Sequence, residues 1–223
     1  MRFIHNLLPL LLASPGPGAH VISVFGAGLE KVNLWHPDDL LLRQPGNFNT
    51  RTRGTHSTIM TTLFTERLLR DLEGRLSFTH VFPGLVVTPA FRNEGHPWWF
   101  KLVVTFLLPI LGRTIGVSAE ETGERMLFFT SSRYPSAFGK TAGEQVAEAG
   151  NRKAMMEGGE SLEIALGTDG VQGSGTYSCK NNGETNAVQD LYRELRAKQT
   201  DELVWKHTMD VFEQIESGKV YTG

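Results

Sequence analysis

The spacing of apolar residues changes several times along the chain, and each change marks an element. Leucines dominate residues 3 to 12 and predict a helix, which "SPGPG" at 14 to 18 must end because proline cannot donate to a continuing helix. "HVISVFGAG", 20 to 28, is a mostly apolar run with β-branched residues, closed by two glycines, and predicts a strand buried on both faces. Residues 29 to 54 are polar, contain Pro37, Pro45 and Gly46, and predict a loop with one short helical turn. From 55 to 72 the period is helical: Met60, Leu63, Phe64, Leu68 and Leu72 recur at three- and four-residue steps, a stripe suited to lie on a sheet. Gly74 offers that helix a stop, and "RLSFTHVFPG" starts a second strand.

Helix, strand, long helix, strand is the alternation of a parallel α/β layer fold, and a right-handed crossover makes the two strands neighbours. Further on, "SAEETGERMLFF" predicts a helix with Ser118 as its cap and Glu121 three places later. Residues 136 to 160 become small, charged and glycine-dotted, the composition of a mobile linker. "SLEIALGTDGVQGSGTYSC", 161 to 179, predicts two short strands around a glycine-rich hairpin turn, and 186 to 215 predict two helices. In those helices Leu191, Leu195, Val204, Trp205, Val211 and Phe212 should face the body. The organisation expected is therefore a main portion over 1–135, a linker over 136–160 and a C-terminal extension of the same domain over 161–223.

Composition narrows the function classes. With 223 residues, 40% of them hydrophobic, the chain can bury one sizeable core. The formal charge is −2 and no basic stripe forms, so nucleic acid is not an expected partner. Cys179 is the single cysteine, which rules out an internal disulfide, and no Cys/His spacing suits a metal. A reducing, cytoplasmic setting is expected. "MRFIHNLLPLLLASPGPGA" has the outline of a signal peptide, but His5, Asn6 and Pro9 interrupt its apolar run. "WWFKLVVTFLLPILG", 98 to 112, is too short and too broken by Lys101 and Pro109 to span a bilayer, so no integral membrane segment is expected. A buried helix or a lid over a pocket suits it better.

The order of elements together with "FPGLVVTP" resembles the C-terminal half of a short-chain dehydrogenase/reductase, of the kind found among fungal secondary-metabolite enzymes. "FIHNLLPLLL" looks like the family's long central helix, "HVISVFGAG" like the strand that ends at the catalytic serine, and 55 to 72 like the helix of the Tyr-x-x-x-Lys pair. "PGLVVT" resembles its Pro-Gly-x-x-x-Thr turn. The resemblance implies a Rossmann-like parallel sheet with flanking helices, NADP or NAD as cofactor, and a small-molecule substrate. It also implies that Pro83 and Gly84 shape a corner against the nicotinamide, while the backbone near Val86 and the hydroxyl of Thr88 hold its carboxamide.

The same resemblance exposes gaps. The chain opens almost at the family's central helix, so the N-terminal βαβ nucleotide-binding part, with its glycine-rich phosphate turn, is expected to be missing. The first tyrosine is Tyr134 and no lysine lies between Lys31 and Lys101, so no Tyr-x-x-x-Lys pair exists on the 55 to 72 helix. Gly54 and Thr58 stand where tyrosine and lysine belong, and the serine position falls near Gly26. Ser23 and His56 are weak substitutes: the first is a strand hydroxyl close to the serine position, and the second titrates in a useful range but has the position of an exposed first-turn residue. His80 reads as a structural histidine on a buried strand, and His96 lies beside Trp98 and Trp99 in the family's substrate-loop region. Asp38 and Asp39 are adjacent and suit a solvated helix start rather than a catalytic pair. Four readings stay open: an NAD(P)-dependent oxidoreductase, a non-redox isomerase or cyclase, an inactive binding module that forms a homo-oligomer or joins a pathway partner protein, and a truncated product.

Overall fold

The computed structural model describes residues 1–14, 18–72, 75–86, 116–137 and 161–221, with 99, 102, 105–106 and 153–155 as shorter pieces. Helix α1 (Arg2–Leu12) leads to strand β1 (Ala19–Val24), a 3-10 turn (Val32–Leu34) and helix α2 (Thr50–Arg70), which returns the chain to strand β2 (Leu76–Phe82). The short strands β3 (Leu85–Val86) and β4 (Gly116–Val117) pair in parallel ahead of helix α3 (Ala119–Phe128). Strands β5 (Lys153–Met155), β6 (Ser161–Glu163) and β7 (Thr176–Lys180) precede helices α4 (Gln189–Ala197) and α5 (Thr200–Glu216).

The main sheet is parallel, in the order β1-β2-β7, with helices packed on it: a Rossmann-like α/β arrangement. As the sequence predicts, β1 and β2 are neighbours joined through α2. The helix starts five residues before the expected position 55 because Asn49 caps it, its side-chain oxygen accepting the amides of Arg51 and Thr52 at 3.0 Å each. Ser118 caps α3 as expected, accepting the Glu121 amide at 3.0 Å.

Side chains of the sheet alternate between two covered faces. On one, Leu76 and Phe78 of β2 meet Ile59, Leu63 and Phe64 of α2 and Val204 of α5. On the other, Val81 of β2 and Tyr177 and Cys179 of β7 meet Phe129 and Tyr134. Each fully buried side chain of this kind contributes roughly 1.5–3 kcal/mol. Ile4 of α1 and Leu195 of α4 join the first cluster, and Leu191, Trp205 and Phe212 pack against it, as their spacing predicts.

Two expectations need correction. β1 is half-buried rather than buried on both faces, because among the described residues it pairs on one side only. The strands flanking the glycine-rich turn do not form a hairpin together: β6 pairs antiparallel with β5, and β7 joins β2 in parallel, Phe78 opposite Thr176. The turn is itself tight, with the Gly167 amide donating to the Val171 carbonyl at 2.9 Å. Tyr177 and Cys179 carry β7 away because their common face needs the cover that Phe129 and Tyr134 provide. Gly74, Thr88, His96, Trp98 and most of 136–160 lie outside the described residues. Among those described, no helix is long and apolar enough to cross a membrane.

Candidate functional site

A cavity of about 440 Å³ opens at the carboxyl ends of β1 and β2, between the residues following β1 and the first turns of α2. In an open parallel α/β sheet this end is where ligands bind, since strands finish there and loops diverge. Phe25, Leu29, Leu34 and Phe82 give it an apolar lining. Thr50 and Thr55 of α2 add hydroxyls.

Gly26, Gly54 and Thr58 also line this cavity, which places the three positions aligned with a serine, a tyrosine and a lysine around one space. The space exists partly because the side chains are small. A Cβ on Gly54 would meet nothing within 4 Å, and one on Gly26 would meet the Thr58 hydroxyl at 3.0 Å. The positions that the resemblance aligns with these three residues thus face one cavity, and their side chains offer it one hydroxyl and no phenol or ammonium.

The two weak catalytic candidates lie elsewhere. Ser23 is half-buried, sits opposite His80 in the β1–β2 register, and does not line the cavity. His56 is buried rather than exposed at the helix start, because the Trp35 ring packs against it at a tilt with a centroid distance of 4.5 Å and the His36 amide donates to its Nε2 at 3.0 Å. Burial lowers its pKa, and its unpartnered Nδ1 is buried too, so it fastens the loop to α2 as a neutral ring. His80 lies inside the sheet, as the sequence suggests, with Nδ1 3.4 Å from the Thr62 hydroxyl; burial drives its pKa down to about 4. Asp39 is a loop brace, accepting the amides of Arg43 and Gln44 at 2.8 and 3.0 Å and the Asn47 amide group at 2.9 Å. Cys179 is buried, and desolvation pushes its thiol up to about 12, which removes it as a nucleophile.

Pro83 and Gly84 follow directly on Phe82 and turn beside the cavity. Gly84 has φ +77°, and a Cβ there would strike the Asn181 side chain at 2.7 Å, so this corner requires glycine. Val86 is half-buried in the short β3–β4 pair. Gly28 of the "GAG" turn does not serve as a phosphate cradle: its φ is +82° and the Asn186 side chain occupies the place a Cβ would take. The glycines there admit a neighbouring side chain.

The cations of the cavity were missed by sequence reasoning. Lys31, Arg51 and Arg53 reach it from the loop after β1 and from the first turn of α2. Their signal was the "TRTRGT" start of a helix without an acid in its first turn, against the usual preference of a helix N-terminus. A smaller cavity of about 180 Å³ lies beside Glu66, Thr168 and Arg196, where Arg196 donates to both Glu66 oxygens at 2.9 and 3.0 Å and the Thr168 hydroxyl donates to the same carboxylate.

The sequence compares with known proteins over nearly its whole length. It is 35% identical to an oxidoreductase of Emericella nidulans and 31% identical to a short-chain dehydrogenase/reductase of Stachybotrys chartarum, in each case over 96% of this chain. The chain is similar to fungal short-chain dehydrogenase/reductases. An NmrA-like family domain-containing oxidoreductase of an Aspergillus species is 29% identical over 95% of it. The chain spans a little over half the length of these relatives, 59, 56 and 54% respectively. No family model matches it.

Proposed function

We propose that this fungal-type short-chain dehydrogenase/reductase homologue is an oxidoreductase whose cavity receives a small-molecule intermediate of secondary metabolism beside the nicotinamide of NADP or NAD. The observation that carries the reading is the convergence of Gly26, Gly54 and Thr58 on one apolar cavity at the carboxyl ends of the parallel strands. Pro83 and Gly84 form the corner for the nicotinamide, the backbone at Val86 and the hydroxyl of Thr88 orient its carboxamide, and the bound cofactor supplies or accepts hydride. The corner fits such a group, because it is a fixed turn next to an apolar wall. The proton-transfer positions fit it less well, since of the three only Thr58 carries a hydroxyl.

Those three residues favour a second reading: a protein that keeps the pocket and binds ligand without hydride transfer, alone, as a homo-oligomer or with a pathway partner. Fluorescence titration of the folded, monodisperse chain with NADPH and NADH separates the two. Micromolar binding that Thr88→Ala abolishes supports the oxidoreductase reading. A well-folded protein that binds neither nucleotide overturns it and leaves the cofactor-free pocket.

A further inference from the structure

We infer that the small molecule received by this cavity is an amphiphilic anion, an apolar body of two or three rings bearing a carboxylate that meets Lys31, Arg51 and Arg53. The inference rests on the reading of the cavity as a ligand pocket and adds the chemical class of the ligand.

The lining is divided by chemistry. Phe25 and Leu29 remain 44% and 56% exposed at the cavity, apolar surface that a ligand would cover. A volume of about 440 Å³ falls within the range of pockets that enclose compact organic molecules, with a few polar groups fixing orientation. The charged groups are all of one sign: Lys31, Arg51 and Arg53 line the cavity, and among the described residues no carboxylate does.

These cations also differ from basic residues elsewhere in the fold. Arg67 and Arg70 sit against Asp71 and Asp201, and Arg196 against Glu66. Lys31, Arg51 and Arg53 make no ion pair with any described residue. Two of them stand in the first turn of α2, where the amide dipoles already supply positive charge and acidic residues are preferred. Three like charges, two of them at a helix N-terminus, line one cavity beside an apolar wall, and an anion would relieve their mutual repulsion. The wall then lowers the local dielectric and strengthens that attraction. Arginine's planar fork suits a planar carboxylate as well as a phosphate, and the apolar wall beside it favours the carboxylate of an apolar body.

The test uses a matched pair of fluorescent probes, anthracene-2-carboxylate and its uncharged primary amide, titrated into the full chain by anisotropy at low and high salt. The acid should bind about 10-fold or more tighter than the amide, the range of a charge-assisted hydrogen bond, and the gap should narrow in high salt. The triple variant Lys31→Ala, Arg51→Ala, Arg53→Ala should bind both probes alike at the affinity of the amide. Circular dichroism and a melting curve confirm that it is folded, as expected for exposed side chains. Equal binding of acid and amide to the native chain overturns the anion assignment and leaves the pocket reading standing. Persistence of the acid preference in the triple variant overturns it as well. Inorganic pyrophosphate that binds more tightly than the acid would assign the cations to a cofactor phosphate and overturn the carboxylate. Failure of both probes to bind removes the ligand pocket itself, and the inference with it.

Discussion

Replacing Gly54 with alanine should stabilise the protein, and the reasoning behind that expectation is also the reasoning for the cavity. Gly54 is the fifth residue of α2, is not among the glycines of positive φ, and faces open space, since a Cβ there has no neighbour within 4 Å. Glycine in a helix interior costs about 0.8–1 kcal/mol relative to alanine, because the unfolded chain loses more freedom. Nearness to the helix start reduces the gain to about 0.5–1 kcal/mol, or roughly 1–4 °C in Tm for a chain of this size. Gly54→Tyr should keep a smaller part of this gain, because tyrosine is a poorer helix former by about 0.5 kcal/mol, and its ring should occupy the cavity and displace anthracene-2-carboxylate. Gly26→Ala should behave oppositely: its Cβ would crowd the Thr58 hydroxyl at 3.0 Å and lower stability. Urea denaturation followed by circular dichroism measures all three. A loss of more than about 1 kcal/mol in Gly54→Ala would refute the argument, because it would place a neighbour where the structure has open space.

Two further predictions concern buried charge. Burial holds His80 neutral, with a pKa of about 4, so its contribution is complete above its ordinary value of 6.5 and is lost as pH falls toward 4. By pH 5 the loss is about 2 kcal/mol, and comparison of urea curves at pH 7 and 5 should show this increment in the native chain and not in His80→Leu. Arg196→Met leaves the buried Glu66 carboxylate with only the Thr168 hydroxyl and should cost about 3 kcal/mol at pH 7. Desolvation raises the pKa of Glu66 and Arg196 opposes that rise, so without Arg196 the buried carboxyl takes up a proton more readily and the deficit should shrink at pH 4; a deficit equal at both pH values would mean that the pair is not what holds the charge.

Much of the frame was legible because it follows from local pattern. The apolar stripe of α2, the β-branched run of β1 and the Ser118 cap are features of a few consecutive residues, and backbone geometry turns each into an element without reference to the rest of the chain. Their alternation then implied the parallel β1–β2 pair. The places of Gly26 at a strand end and of Gly54 and Thr58 in the first turns of a helix could also be read from the sequence, because each stands in or beside a recognisable element.

What the sequence alone determined was therefore the types and order of the main helices and strands, and the absence of any tyrosine before Tyr134 and of any lysine between Lys31 and Lys101. Only the tertiary structure decided which strand β7 joins, because pairing with β2 depends on Phe129 and Tyr134 covering its apolar face from a distant part of the chain. His56 became a buried loop fastener through Trp35 and His36, residues that no periodicity links to α2. Lys31 likewise met Arg51 and Arg53 only when the loop after β1 folded back on the helix start. Local periodicity specifies which face of an element is apolar; the partner that covers it, and the charges brought to its edge, depend on the closure of the whole chain.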